Sequence, residues 1–139
     1  MEQYFIAYSK FAELVHELAK EGNVYVPVRN EDQFNYELLD PNSSQEIIFN
    51  NIRPIESVKS FVYPINQQVA GKDVEPEKFA KQTILIGAKA CDLKAMYIQD
   101  KVFLEQGGLE DPFYAQKRKD MLIISSDCKQ PLDSCFCSI

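Results

Sequence analysis

Four cysteines are the residues most able to do chemistry. Cys91, Cys128, Cys135 and Cys137 follow the spacing C-x36-C-x6-C-x-C. Thiolates are soft anionic ligands, and four of them suit an iron–sulfur cluster or a structural zinc ion. The spacing is neither the compact run of bacterial ferredoxins nor the paired CxxC of a zinc ribbon. On its own it leaves three readings open: a cluster, a structural zinc, or small apolar side chains in a core. Nucleophilic thiol catalysis usually needs a base, most often histidine. The single histidine, His16, lies far away in sequence, off the apolar stripe of a helix, and reads as a solvated or half-buried helix residue. A catalytic site on this chain alone is therefore not expected.

The elements that must position the thiols are clearest in the second half. Thr83–Gly87 and Met121–Ser125 are unbroken apolar runs, the pattern of strands buried in a parallel sheet. Between them, Asp92 to Leu104 reads as a helix, with Leu93, Met96, Tyr97 and Val102 available for burial and Gly107-Gly108 as its stop. Asp111-Pro112 opens a second helix, because Asp caps well and Pro suits the first helical position. Strand, helices, strand is a β-α-β crossover, so the two strands run parallel. Loops beyond the carboxyl ends of parallel strands form the site crevice of such sheets. Cys91 and Cys128 each follow one of these strands by a short turn, and Cys135 and Cys137 lie in the loop after Cys128. The topology therefore brings all four thiols toward one edge. Asp92 reads as a helix cap; the alternative reading is a charge that lowers the potential of a neighbouring cluster. Lys89 and Lys94 either offset thiolate charge or are solvated, and Gly87 gives a tight turn after its strand.

The first half is less regular. Ser9 reads as the cap of a helix from Lys10 to Lys20, with Phe11, Leu14, Val15 and Leu18 at helical spacing and Gly22 as its stop. Val24–Val26, stopped by Pro27, and Phe34–Leu39 read as strands. Ile47–Phe49 and Ser60–Tyr63 are further short apolar runs, and Val69–Lys78 is polar and reads as a surface loop. The expected fold is α/β, with α+β character in the N-terminal half. A β-α-β parallel core over residues 83–127 follows a small, irregular β-rich region.

The totals bound the function. At 139 residues, 45% hydrophobic and 26% charged, the chain fits a single globular domain spanning 1–139. A net charge of −6 and the absence of a basic stripe exclude nucleic-acid binding. No apolar run approaches the roughly 20 residues of a membrane span, and the first residues do not read as a signal peptide. The expectation is a cytoplasmic protein, where cysteines serve metal or redox chemistry before disulfides.

The stretch Gly87-Ala88-Lys89-Ala90-Cys91-Asp92-Leu93-Lys94-Ala95 resembles the G-V-R-P-C-D-x-x-A motif of a family of iron–sulfur proteins, the sulfhydrogenase beta subunits and anaerobic sulfite reductase A subunits. Asp111-Pro112-Phe113-Tyr114 with Arg118 is similar to the family's D-P-Y-Y-x-x-R-R segment. Ile123–Cys128 and Ser134-Cys135-Phe136-Cys137-Ser138 resemble its strand, lone cysteine and C-F-C-[TS]. Ser57–Pro64 is a looser match to P-K-x-F-x-x-P. Lys89 and Ala90 depart from the family's Arg and Pro. The resemblance implies an electron-transfer domain, with Cys91, Cys128, Cys135 and Cys137 as ligands of a [4Fe–4S] cluster. It implies as partners a ferredoxin-like domain or subunit, a flavin- or nucleotide-linked subunit and a catalytic subunit. Family members continue into a cysteine-rich ferredoxin-like part, so these residues are expected to be the N-terminal part of a longer iron–sulfur subunit. The alternative is a docking or scaffold domain that binds no metal.

Overall fold

The computed structural model describes residues 3–31, 33–42, 46–63, 81–105, 110–133 and 135. Helix α1 (Tyr8–Glu21) leads into strands β1 (Asn23–Asn30) and β2 (Gln33–Leu38). Strand β3 (Thr83–Ala88), helices α2 (Ala90–Phe103) and α3 (Pro112–Lys119) and strand β4 (Met121–Ser125) complete the described elements. The strands form one sheet in the order β2-β1-β3-β4. The β1–β2 pair is antiparallel, and β1–β3 and β3–β4 are parallel. The fold is thus a mixed α/β one, with the expected crossover between β3 and β4.

Alternation along β3 puts a core on each face of the sheet. Ile84 and Ile86 join Val24, Val26 and Val28 under Val15 of α1. Leu85 points the other way, into a cluster with Met96 of α2, Tyr114 of α3 and Val58. β3 is the apolar central strand that its sequence predicts. β4, read from sequence as equally buried, is an edge strand, and Leu122 is exposed. Its apolar run reflects packing on both faces but pairing on one side only.

Several boundaries differ from the sequence reading. α1 begins two residues earlier, because the Ala7 carbonyl already accepts from the Lys10 and Phe11 amides, and Ala7 rather than Ser9 is the cap. Leu14 faces solvent, leaving Phe11, Val15 and Leu18 as the packing stripe. On α2 the buried line is Asp92–Met96, with Phe103 packed beside it, while Leu93, Tyr97 and Val102 are exposed. Apolar residues lie all round this helix, so periodicity alone could not choose its inner face. Ser60–Tyr63 is not a strand. Residues Val58–Phe61 form a 3-10 turn whose spacing buries Val58 and Val62 and sets Phe61 edge-on to Tyr25, with ring centroids 4.8 Å apart. Ile47–Phe49 contributes a single bridge, Ile47 to Val28. The polar stretch 69–78 and Gly107-Gly108 lie outside the described residues.

Pro27 does not end β1; it ends one of its two ladders. Successive residues of a strand send their N and C=O groups to opposite edges, and one residue's pair shares an edge. The Pro27 carbonyl accepts from Ile48 N at 3.0 Å, so its missing donor lies on that edge too. The antiparallel ladder with β2 continues to Asn30, whereas the parallel ladder with β3 stops at Tyr25. Beyond that point the Pro27 ring lies against Gly87. Gly87 has φ +91°, and a Cβ there would meet Pro27 Cγ at 2.8 Å. The register of the β3–β4 ladder shifts at the same place, between Ile86 and Ala88.

The N-terminus of α3 follows its sequence signals. Asp111 Oδ1 accepts from Phe113 N at 2.9 Å and Tyr114 N at 3.1 Å, with Pro112 at the first helical position. The Tyr114 hydroxyl donates to Asp100 Oδ1 at 2.7 Å, and Arg118 Nε donates to the same carboxylate at 3.0 Å, tying α3 to α2. Burial, followed by this hydrogen bond, raises the Tyr114 phenol above its ordinary pKa.

Two substitutions test these constraints by urea denaturation at constant m-value. Asp111→Ala should cost about 1 kcal/mol through loss of the cap. Gly87→Ala should cost about 2 kcal/mol or more, because it combines a left-handed backbone with the Pro27 contact.

Candidate functional site

Two turns leave the sheet at the carboxyl ends of β3 and β4. The first, Lys89 to Asp92, starts α2; the second runs from Ser126 toward Cys135. Ser126 N donates to Ala88 O at 3.0 Å, carrying the pairing one step past β4 and setting the two turns side by side. Between them is a cavity of about 670 Å³ lined by Cys91, Cys128 and Cys135 together with Lys89, Ser126 and Leu132. Three of the four thiols picked out by sequence therefore surround one space. The fourth, Cys137, lies outside the described residues. No disulfide links Cys91, Cys128 and Cys135 to one another. Among the described residues no three His, Cys, Asp or Glu side chains are gathered closely enough to hold a metal ion as they stand.

Cys91 is the second residue of α2, in the turn whose amide groups have no partners within the helix. Such a position favours a thiolate. Here burial, and after it the charge of Asp92, outweigh Arg53 and the first-turn amides, and the thiol is pushed up from its ordinary pKa. Asp92 is not the cap that sequence suggested but the third helical residue, reaching back so that its Oδ2 accepts from Lys89 N at 3.0 Å. Cys135 sits in a closed turn: its amide donates to Leu132 O at 2.9 Å, and its Sγ accepts from Leu132 N at 3.1 Å. An amide donor to sulfur is the kind of contact that tunes a metal-bound thiolate.

Lys89 is the residue whose weight the sequence understated. Its side chain is not solvated: the residue is 2% exposed. Nζ donates to Phe49 O at 2.5 Å and to Ser126 Oγ at 2.7 Å, and the Ser126 hydroxyl lies 2.6 Å from Phe49 O. This triangle ties the segment around Phe49 to both turns, and Lys129 N also donates to Asn50 O at 3.0 Å. Burial lowers the Lys89 pKa, against the pull of Cys128, Asp92, Asp127 and Cys91. No sequence signal marked Phe49 or Ser126 as its partners, since neither is near it in the chain. Lys94 is exposed on α2, and His16 is half-buried on α1.

Tyr36 of β2 also borders this region. Its buried hydroxyl has no hydrogen-bond partner among the described residues. Burial raises its pKa, followed by the nearby charges of Asp92, Cys91 and Glu56. No described helix is long and apolar enough to cross a membrane.

The fold and the cavity together define an α/β domain that presents thiols at the carboxyl edge of a parallel strand pair. The chain is 30% identical over 130 residues to the sulfhydrogenase 2 subunit beta of Pyrococcus furiosus. That alignment covers 91% of this chain and 37% of the relative, so the chain spans little more than a third of the length of the curated relative it matches. No family model and no solved structure matches.

In the metal-free protein the elevated Cys91 thiol should be mostly neutral near pH 7. Its alkylation by iodoacetamide, followed by mass spectrometry, should be slower than that of an unstructured cysteine peptide. The rate should rise only as the pH passes the ordinary cysteine range of about 8.5.

Proposed function

We propose that this chain is an electron-transfer domain of an iron–sulfur subunit in an oxidoreductase complex of the sulfhydrogenase or anaerobic sulfite reductase type. The observation that carries the reading is the single cavity at the ends of β3 and β4 around which Cys91, Cys128 and Cys135 lie. The similarity to a sulfhydrogenase beta subunit supports the same assignment. The donor types suit an iron–sulfur cluster, soft thiols of which one accepts an amide hydrogen bond, while their described positions are too far apart to share a metal ion as they stand. Cys91, Cys128, Cys135 and Cys137 would hold a [4Fe–4S] cluster, which supplies one-electron chemistry when bound. Ligation would draw the turn that bears Cys128 and Cys135 toward Cys91, as metal binding is commonly coupled to local folding. Leu132 and Pro131 line the site beside the thiols, and Lys89, Asp92 and Asp127 contribute to its local charge. The partners are a ferredoxin-like domain or subunit, a flavin- or nucleotide-linked subunit and a catalytic subunit, all in the cytoplasm.

A second reading has its own observation. Leu93, Tyr97, Ile98 and Val102 are exposed apolar side chains on α2, the helix that carries Cys91, with Lys94 and Lys101 between them. A domain that only docks against a larger partner would show such a surface without using its thiols.

Anaerobic reconstitution with iron and sulfide separates the two. A cluster domain should take up about four irons per chain and gain broad visible absorbance, and Cys91→Ser or Cys128→Ser should lose most of both. A parent protein that takes up no iron favours the docking reading. A Cys91→Ser variant that loads like the parent removes Cys91 from the ligand set.

A further inference from the structure

The sheet has one open edge that nothing in its sequence guards. β4 pairs with β3 on one side and with no described strand on the other. Thr83 N donates to Asp120 O at 3.1 Å, and Ser126 N donates to Ala88 O at 3.0 Å. A residue's N–H and C=O share one edge of its strand, and successive residues alternate. Asp120, Leu122, Ile124 and Ser126 therefore face β3, and Met121, Ile123 and Ser125 turn their backbone groups outward. Among the described residues no backbone group pairs with these three on that side. Edge strands are usually blunted by charge, proline or a bulge. Met121–Ser125 contains no charged residue and no proline, and the register irregularity of the ladder falls on β3. The opposite edge differs: β2 carries Gln33, Asn35 and Glu37, and its Phe34 O already accepts from Ile55 N at 2.8 Å. On β4, Leu122 adds an apolar side chain that is 38% exposed. It shares a face with Ile124, which borders a cavity of about 380 Å³ together with Phe11, Ile48 and Phe49.

We propose that the outer edge of β4 is a self-association surface, on which a second copy of this chain adds its own β4 antiparallel across a two-fold axis at Ile123. The two sheets then run on as one. Symmetry and charge both point to this occupant. An isologous contact needs a patch that is complementary to itself. With Ile123 opposite Ile123 of the other copy, Met121 meets Ser125 and Ser125 meets Met121, so every outward residue finds an outward residue. Antiparallel pairs of this kind exchange both of their backbone hydrogen bonds. Leu122 falls opposite Ile124 of the other copy, in the pair type whose side chains lie closer, and is covered beside the cavity. Exposed Lys119 precedes the strand and exposed Asp127 follows it. Antiparallel pairing sets Lys119 of each copy toward Asp127 of the other, while the Asp120 carboxylate is held by Gln116 Nε2 at 2.6 Å. In-register parallel pairing would set like charges together. Nothing in the contact uses the thiols, so it stands apart from the iron–sulfur reading.

Sedimentation velocity of the metal-free chain, from about 5 μM to about 1 mM, tests the proposal. Reducing buffer excludes disulfide-linked pairs. The expected result is a reversible equilibrium between monomer and dimer. Leu122→Lys places a charge on the edge, and Ser125→Pro removes an outward N–H; both residues are exposed, and neither change removes a bond to β3. Each should raise the dimer dissociation constant at least about tenfold while far-UV circular dichroism stays that of the parent. Leu122→Lys carries the test if Ser125→Pro fails to fold. Lys119→Glu should also weaken the dimer, and Lys119→Glu combined with Asp127→Lys should restore it. A parent that stays monomeric across the range overturns the inference and leaves the edge to a strand of some other protein. A dimer that both edge variants leave unchanged overturns it too, since the contact then lies elsewhere. Weakening by Lys119→Glu without recovery in the double variant overturns the antiparallel pairing.

Discussion

The parallel ladder between Thr83–Ala88 and Met121–Ser125 is the constraint on which the rest depends. Parallel strands must exit at the same end, so whatever follows β3 and whatever follows β4 meet there. The helices between them complete the crossover and bury Met96 and Tyr114 against Leu85. The Asp100 carboxylate, shared by Tyr114 and Arg118, joins the two helices to each other. Proximity of the thiols follows from this topology, not from their spacing in the chain.

The N-terminal half contributes to the same edge by a different route. The segment after β2 returns as a single bridge at Ile47 and offers the Phe49 carbonyl to Lys89 and Ser126. A buried cation thereby links three stretches that are remote in sequence. Replacing such a group by a well-packed apolar side chain is often neutral or stabilising for a fold.

The crossover was legible because its signals agree at every level. Two apolar runs, an Asp-Pro helix start and a thiol after each strand all point one way, and the cap at Asp111 and the parallel pairing follow them. The edge position of β4 was not legible, since an apolar strand reads alike whether one or both of its edges are paired. α2 was half legible: its existence is plain, but apolar residues around its whole circumference hide which side faces the sheet. Pro27 misled because proline removes one donor from one edge, and sequence does not say which edge matters. Ser60–Tyr63 misled because a short apolar run has no resolvable period. At the site, the thiols stood out by type, whereas Lys89 did not. A lysine's burial is decided by distant oxygens such as Phe49 O, and these become neighbours only after folding.

The contact between Pro27 and Gly87 has a consequence for how the sheet tolerates change. The two residues sit on neighbouring strands, and each fills the space the other leaves. A larger group at 87 would have to displace the ring at 27. A non-proline at 27 would bring back an amide on the edge where the two strands have parted. Sequence drift at the centre of this sheet is therefore governed pairwise, with two sites some sixty residues apart constrained as one.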